Sequence, residues 1–312
     1  MNNLAIIFPG QGSQSLGMLS ALAESFPVVR ATYDEASQAL GFDLWRLTQE
    51  GSEQELNRTE HTQPALLAAG RAVWRVWDES GGEQPSLLAG HSLGEYTALV
   101  CAGVIDFSDA ITLVAERGKY MQEAVPHGTG AMAAILGLND EQVVEVCQAI
   151  SGEQIVSAAN FNATGQVVIA GHTKAVQQAM ASAKQAGAKR AVMLPVSVPS
   201  HCALMKQAAD RLATQLQSIT FSNANIPVIQ NVDVEQHTAA QDIKQALIQQ
   251  LYQPVRWLET IGKMQNNGIT QLVECGPGKV LTGLIKRIDR SLDALAVYDP
   301  ASLQVAIDKL QR

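Results

Sequence analysis

A serine between two glycines, at residues 90–94 (Gly-His-Ser-Leu-Gly), is the pattern in this sequence with the clearest chemical use. The apolar run 87–89 (Leu-Leu-Ala) precedes it, and a helical pattern at 95–102 follows it. A G-x-S-x-G turn between a strand and a helix is typical of a nucleophile elbow, in which the serine hydroxyl projects into a cleft. The glycines avoid clashes in the turn, and the helix directs its free N–H groups toward the serine. We predict that Ser92 is a nucleophile; the alternative is a plain loop.

A general base is needed to activate a serine, and His201 is the strongest candidate among the six histidines. His91 is adjacent to Ser92, and neighbouring side chains in an elbow point in different directions. The other four lie beside predicted caps, hinges and loops. His201 follows Ser92 in the chain, which is the order found in α/β hydrolases, and lies at a predicted domain junction. We predict His201 as the base, with a structural histidine as the alternative.

The loop after the first strand provides a second wall for such a site. Residues 4–8 (Leu-Ala-Ile-Ile-Phe) form a continuous apolar run typical of a central strand that is covered on both faces. The loop 10–14 (Gly-Gln-Gly-Ser-Gln) lacks the spacing of both common phosphate-binding motifs, which argues against a nucleotide site. Its backbone N–H groups could instead complete an oxyanion hole opposite the elbow, the alternative being a plain β–α turn.

Arg117 lies on the apolar stripe of a helix that is predicted to run from its cap, Asp106, to Glu123. An unpaired arginine is costly at such a position, so two hypotheses stand. Arg117 forms an ion pair with a neighbouring carboxylate, or it is a planar receptor for a substrate carboxylate. Gln63 lies at the start of an earlier helix, with Thr62 as its predicted N-cap, and is compatible with a structural role or with the site.

Alternating strand and helix patterns on both sides of a distinct middle segment predict an α/β fold. Residues 127–198 run strand, helix, strand, strand, helix, strand, which is the β-α-β-β-α-β order of a ferredoxin-like module. We therefore predict an α/β-hydrolase-like parallel-sheet core, formed by residues 1–126 and 199–312, with an inserted ferredoxin-like subdomain. Later expected elements include a strand at 228–232 and a helix from Pro277. Small-molecule sites prefer clefts between domains.

The composition excludes several classes of protein. The 312 residues are 46% hydrophobic and 17% charged, as in an ordinary globular enzyme. The formal charge of −8 argues against general binding to nucleic acid or anionic membranes. The first apolar run is too short for a secretory signal, and no run approaches the roughly 20 residues that cross a bilayer. The four cysteines are widely spaced, so we expect a cytoplasmic protein without a metal site.

Five motifs occur along the chain in this order: Phe8-Pro9-Gly10-Gln11-Gly12-Ser13-Gln14, Gly90-His91-Ser92-Leu93-Gly94-Glu95, Arg117, Val198-Pro199-Ser200-His201 and Gly276-Pro277-Gly278-Lys279. Together they closely resemble the bacterial malonyl-CoA:acyl carrier protein transacylases of fatty-acid synthesis, over nearly the whole chain. The resemblance implies transfer of a malonyl group from coenzyme A, which is a substrate and not a cofactor, to the phosphopantetheine thiol of acyl carrier protein.

The resemblance also implies a role for each residue of the site. The nucleophile is Ser92, the base is His201, and the oxyanion donors are the backbone N–H groups of Gln11 and Leu93. The receptor for the malonyl carboxylate is Arg117, and the backbone carbonyl of Gln250 orients the histidine. Gln63, from its position at a helix start, is a further candidate for substrate binding. The loop 162–166 (Asn-Ala-Thr-Gly-Gln) departs from the family, which often has Asn-Ser-Pro-Gly-Gln there. Leu93, rather than glutamine, after the nucleophile favours malonyl.

Acyl carrier proteins are acidic, so the resemblance implies a local basic surface on this acidic chain. The candidates are the basic residues of the helix from Pro277, namely Lys279, Lys286, Arg287 and Arg290, and the pair Lys189 and Arg190 at the edge of the inserted subdomain. Helical spacing predicts that Lys279, Lys286 and Arg290 share one face. A solvated surface without a partner is the alternative.

Three kinds of function stay open from the sequence. The first is the acyltransferase, for malonyl or a different extender acyl group. A serine esterase or thioesterase would share the elbow and the histidine but would not need a cation on a buried face. A non-enzymatic module that binds a carrier protein would have no reason to combine a strained elbow with a placed histidine.

Overall fold

The computed structural model describes residues 3–126, 128–196 and 198–311, so His127 of the predicted hinge and Ser197 of the second junction lie outside the described residues. The strands are β1 (Leu4–Phe8), β2 (Leu87–Gly90), β3 (Gly130–Leu136), β4 (Val156–Ala163), β5 (Gln166–His172), β6 (Arg190–Met193), β7 (Val228–Ile229), β8 (Gln271–Cys275) and β9 (Asp293–Val297). The helices are α1 (Ser20–Ser25), α2 (Pro27–Leu40), α3 (Leu44–Glu50), α4 (Glu53–Leu56), α5 (Thr59–Glu79), α6 (Leu93–Cys101), α7 (Phe107–Glu123), α8 (Asp140–Ile150), α9 (Thr173–Gln185), α10 (Lys206–Ser218), α11 (Ala240–Gln250), α12 (Trp257–Asn266), α13 (Val280–Ile288) and α14 (Pro300–Leu310). None of the helices in these ranges is long and apolar enough to span a membrane.

The larger sheet is parallel throughout, with the strand order β7-β2-β1-β8-β9. Its central strand is buried on both faces: Leu4, Ile6 and Phe8 pack in one core with α2, α5, α6 and α7, whereas Ala5 and Ile7 pack in another with α12 and α13. Burying each large apolar side chain contributes about 1.5–3 kcal/mol. Because parallel strands end at the same edge, the loops after β1, β2 and β7 meet there.

The smaller sheet is antiparallel, with the strand order β4-β5-β3-β6. Its strands and helices follow one another along the chain as β3-α8-β4-β5-α9-β6. Strand β4 is joined to the rest of the molecule through Val255: Phe161 N donates to Val255 O, and Val255 N donates to Ala159 O, both at 2.9 Å. Main-chain hydrogen bonds thus hold the small sheet in a fixed position against the larger part of the fold.

Most predicted elements occur within a few residues of the expected positions, and the boundaries that differ can be traced to individual side-chain hydrogen bonds. Helix α5 begins at Thr59 and is not capped by Thr62, because Thr62 Oγ1 donates to the carbonyl of Leu56 instead of accepting a backbone N–H. The strand predicted at 228–232 ends at Ile229, because Asn231 turns out of the sheet and bonds the nucleophile turn.

Helix α13 is shorter than the sequence pattern predicts. It begins at Val280 rather than at Pro277. In its first turn, the backbone N–H groups of Leu281 and Thr282 donate to the carboxylate of Glu274 at 3.0 and 2.7 Å. The buried glutamate therefore caps the helix and sets its start. Lys279 and Arg290 lie outside the helix, so the predicted common basic face along it is wrong.

Candidate active site

Ser92 lies in a sharp turn between β2 and α6 and has a strained backbone. Its φ of 52° and ψ of −107° fall outside the regions that non-glycine residues prefer. A β-carbon at Gly90 would lie 1.9 Å from the backbone of Gly94, and one at Gly94 would lie 2.0 Å from the carbonyl oxygen of Phe8. Glycine is needed at both positions because the chain passes so close to itself, and the turn presents Ser92 at the carboxyl edge of the sheet.

His201 is in hydrogen-bond contact with Ser92. Its Nε2 lies 2.7 Å from Ser92 Oγ, and its Nδ1 lies 2.7 Å from the backbone oxygen of Gln250. A carbonyl oxygen only accepts, so Nδ1 carries the proton and Nε2 is free to accept the serine proton. Burial, and then the nearby Arg117 guanidinium, lower the pKa of His201 to about 3, so the ring is neutral near pH 7. This arrangement is a serine–histidine dyad that a carbonyl orients.

Arg117 is buried and is held by two neutral amides. Its Nη1 donates to Gln63 Oε1 at 2.7 Å, and its Nη2 donates to Gln250 Oε1 at 3.0 Å. Its Nε has no partner among the described residues, and the guanidinium carbon lies 5.3 Å from the centroid of the Tyr96 ring. Burial lowers the pKa of Arg117. Because the amides are uncharged, they do not neutralise this cation as the ion pair considered from the sequence would.

The backbone N–H groups of Gln11 and Leu93 have no acceptor within the described ranges. Leu93 is the first residue of α6, where free N–H groups and the positive end of the helix dipole coincide. Gln11 follows β1, and the register that pairs Phe8 with Gly90 brings its loop beside the elbow. Two unused donors thus lie at the edge of the sheet where Ser92 is presented.

The dyad opens into a cleft of about 180 Å³ between the two sheets. Ser92, His201 and Gln11 line its polar end. Its apolar wall comes from the small sheet, the segment after it and α13, and includes Met132, Val168, Leu194, Val196, Val280 and Leu284. Arg117, Gln63 and Gln250 are not lining residues; they form a buried layer that contacts the dyad through Gln250.

Sequence reasoning missed three polar residues in this region. Asn162 of β4 bonds His91 Nε2 through its Oδ1 at 2.8 Å and so links the two sheets. Asn231 and Glu95 are fully buried behind the elbow, and burial raises the pKa of Glu95 to about 7 despite the hydrogen bonds it accepts. A signal was present: an asparagine in a buried strand pattern and a glutamate in an apolar helix are costly unless they are hydrogen-bonded.

Two pairs of basic residues among the predicted docking candidates lie near one another: Lys286 and Arg287 on α13, and Lys189 and Arg190 at the start of β6. Arg287 Nη1 donates to Gln166 Oε1 at 2.5 Å. Gln166 and Arg190 both pair with Leu136, one on either side of β3, so they are two strand spacings apart, or about 10 Å. We call the four exposed residues Lys189, Arg190, Lys286 and Arg287 the basic surface.

Comparisons with known proteins agree over nearly the whole chain. A family model described as an acyl transferase domain matches residues 5–306. The malonyl CoA-acyl carrier protein transacylase of Salmonella typhimurium is 58% identical, over 98% of this chain and 99% of that protein. The crystal structure of an acyl carrier protein S-malonyltransferase from Vibrio cholerae has a TM-score of 0.95 at 58% identity, covering 97% of this chain and 99% of that one. A malonyl-transacylase in complex with a type II PKS acyl-carrier protein has a TM-score of 0.97 at 59% identity, covering 99% of this chain and 100% of that one.

Proposed function

Because the chain belongs to the acyl transferase domain family, we propose that it transfers a malonyl group from coenzyme A to the phosphopantetheine thiol of an acyl carrier protein. The observation that carries the proposal is the 2.7 Å contact between Ser92 Oγ and His201 Nε2, close to the buried cation Arg117. The name that its relatives share, malonyl CoA-acyl carrier protein transacylase, supports the acyl group and the acceptor.

In the first half-reaction, Ser92 takes the malonyl group from coenzyme A. His201 Nε2 accepts the hydroxyl proton while Ser92 Oγ attacks the thioester carbonyl carbon. The N–H groups of Gln11 and Leu93 stabilise the resulting oxyanion. The carbon–sulfur bond then breaks, and the departing thiolate takes the proton back from His201. A malonyl ester on Ser92 is left.

The second half-reaction follows the same path with a different thiol. The phosphopantetheine thiol gives its proton to His201, and its sulfur attacks the ester carbonyl. The ester bond breaks, and Ser92 Oγ regains the proton. Because both thiols use one site in turn, the kinetics are ping-pong. Coenzyme A acts only as a substrate, and the proposal includes no cofactor or metal.

The test of this function is to offer malonyl-CoA alone and then with the phosphopantetheine form of an acyl carrier protein. We expect one malonyl group per enzyme in the first case and malonyl-carrier protein in the second, with little free malonate. Rapid release of malonate without transfer would identify a thioesterase instead. Carrier binding without any acyl-enzyme would identify a binding module.

Arg117 binds the malonyl carboxylate in this proposal. A guanidinium offers a planar pair of N–H donors to a carboxylate, and Arg117 has an unused Nε and two neutral partners. Since Arg117 does not line the open cleft, side chains must move to let the malonyl carboxylate reach the guanidinium N–H groups. The acyl group then completes the charge pairing that the free protein lacks.

Replacing Arg117 with alanine should lower the malonyl transfer rate by about 10–150-fold, because a charge-assisted hydrogen-bonded pair is worth roughly 1.5–3 kcal/mol. Acetyl-CoA has no carboxylate, so its rate should change little or rise. Arg117→Lys should restore only part of the loss, since an ammonium lacks the planar fork. The measurement is the acylation rate with each substrate, with Arg75→Ala, a partly buried arginine bonded to Glu35, as the control. Equal losses with both substrates would make Arg117 a structural residue.

The finer description of the architecture is also a proposal. The parallel sheet and its helices form an α/β-hydrolase-like subdomain from residues 1–126 and 199–312, and residues 127–198 form a ferredoxin-like one. The chain order β3-α8-β4-β5-α9-β6, with β3 and β5 side by side in the centre of an antiparallel sheet, supports the second assignment. A cytoplasmic location stays a prediction from the sequence.

The basic surface is the proposed docking site for the acyl carrier protein. Its four cations lie on α13 and at the start of β6 in the small sheet, whereas the chain as a whole carries a charge of −8. Within the described residues, none of the four is in an ion pair with a carboxylate. An acidic partner would therefore contact a positively charged surface on an otherwise acidic protein, beside α13, which also lines the cleft.

Reversing two of these charges, with Lys286→Glu and Arg287→Glu together, should raise the KM for the carrier protein, and added salt should reduce the difference. Acylation by malonyl-CoA alone should be nearly unchanged, because the dyad is untouched. The pair Lys119→Glu and Lys174→Glu is a matched control, since these lysines are exposed on α7 and α9. Carrier kinetics that match wild type at low salt would put the docking surface elsewhere.

A further inference from the structure

Asn231 holds the nucleophile turn from the neighbouring strand. It follows β7, which pairs with β2, so its side chain reaches the end of the strand that leads into Ser92. Its Oδ1 accepts the Ser92 N–H at 2.7 Å, and its Nδ2 donates to the carbonyl of Gly90 at 2.7 Å. Asn231 is fully buried, so these bonds replace hydrogen bonds that water cannot supply there. One amide thus closes the turn from both sides.

A single carboxylate holds the backbone of Asn231 and a second side-chain amide, that of Gln250. Glu95 Oε2 accepts the backbone N–H of Asn231 at 2.8 Å and the Nε2 of Gln250 at 3.0 Å. The same Gln250 Nε2 donates to the carbonyl of Ser92 at 3.0 Å. Both polar backbone atoms of Ser92 are therefore held by amide side chains, and Glu95 bonds both residues, Asn231 through its backbone N–H and Gln250 through its side chain. Because the Ser92 carbonyl only accepts and the Arg117 guanidinium only donates, these two groups fix which end of the Gln250 amide faces Ser92.

We propose that Asn231, tied to the buried Glu95, is a positioning residue that keeps Ser92 in its strained conformation and its hydroxyl aligned with His201. The inference rests on the proposed role of Ser92 as nucleophile. A residue at φ 52° and ψ −107° keeps that conformation only where its surroundings enforce it. The hydrogen bond to Asn231 also occupies the Ser92 N–H and so leaves the oxyanion to the donors of Gln11 and Leu93.

Asn231→Ala should slow formation of the malonyl-enzyme by about 10²-fold per folded molecule, because small misplacements of a nucleophile have effects of that size. The KM for malonyl-CoA should change little, since Arg117 and its amide partners stay in place. Inactivation by phenylmethylsulfonyl fluoride, a serine reagent without a carboxylate, should slow in parallel. Gln230→Ala removes the adjacent buried amide, which makes no hydrogen bond to the elbow among the described residues, and should leave both rates unchanged.

If Asn231→Ala does not fold, Asn231→Asp carries the test. It keeps the size of the side chain and the acceptor for Ser92 N–H but loses the donor to Gly90, so both rates should fall by at least about 10-fold. Folded Asn231 variants that react with the sulfonyl fluoride as wild type does would overturn the positioning role. Failure of the wild-type protein to take malonyl, while the sulfonyl fluoride still labels Ser92, would instead overturn the proposed function alone.

Discussion

Ser92→Ala should abolish the malonyl-enzyme and lower transfer to the carrier protein by about 10⁴-fold or more, because no other group can form the ester intermediate. The substitution removes only the hydroxyl group. The backbone N–H and carbonyl of residue 92 can still bond Asn231 and Gln250, so the fold should be retained. Mass spectrometry of the intact protein after addition of malonyl-CoA measures the intermediate directly.

Two other serines line the same cleft and provide the matched controls for that experiment. Ser13→Ala and Ser200→Ala should still be labelled with one malonyl group, because neither hydroxyl is bonded to the histidine of the dyad among the described residues. A Ser92→Ala protein with wild-type activity, or a label that moves to either of these serines, would reject Ser92 as the nucleophile.

His201→Ala should slow both half-reactions by about 10²–10⁴-fold, the usual effect of removing a positioned acid–base. Acylation and deacylation should slow together, since the same Nε2 accepts the proton of the serine and then that of the incoming thiol. Single-turnover rates for each half measure this. His172→Ala is the control, since His172 is a partly buried histidine whose Nδ1 accepts a backbone N–H in the small sheet. Loss of only one half-reaction would contradict a shared base.

The pH dependence follows from the direction of the pKa shift of His201. The pKa lies at about 3, below the ordinary 6.5, so the neutral base persists as the pH falls. The acylation rate should therefore stay nearly constant between about pH 7 and about pH 5. The free energy of unfolding should also depend on pH. In the unfolded chain His201 takes up a proton near pH 6.5, whereas in the folded chain it does so only near pH 3. The contribution of His201 to the stability of the fold is therefore present above pH 6.5 and is lost as the pH falls toward 3. An acid limb of the rate centred near 6.5 would show that the ring is not shielded.

Local patterns predicted much of the fold because they report on short-range physics. The buried run Leu4–Phe8 and the helix capped by Asp106 appear at the residues that their periodicity and caps indicate. Boundaries were wrong where a distant side chain decided them. Glu274, at the end of β8, sets the start of α13, and the contact of Asn231 with the elbow ends β7.

The sequence by itself determined the family and the types of residue in the site, because the motifs and their order are written in the chain; the family is confirmed. The roles of Ser92, His201 and Arg117 stay predictions. Only the tertiary structure decided which groups touch them. Two neutral amides rather than a carboxylate hold Arg117, and Asn231, 139 residues after Ser92, closes the elbow. Such contacts depend on which strands are neighbours in the sheet, and spacing along one chain does not contain that information.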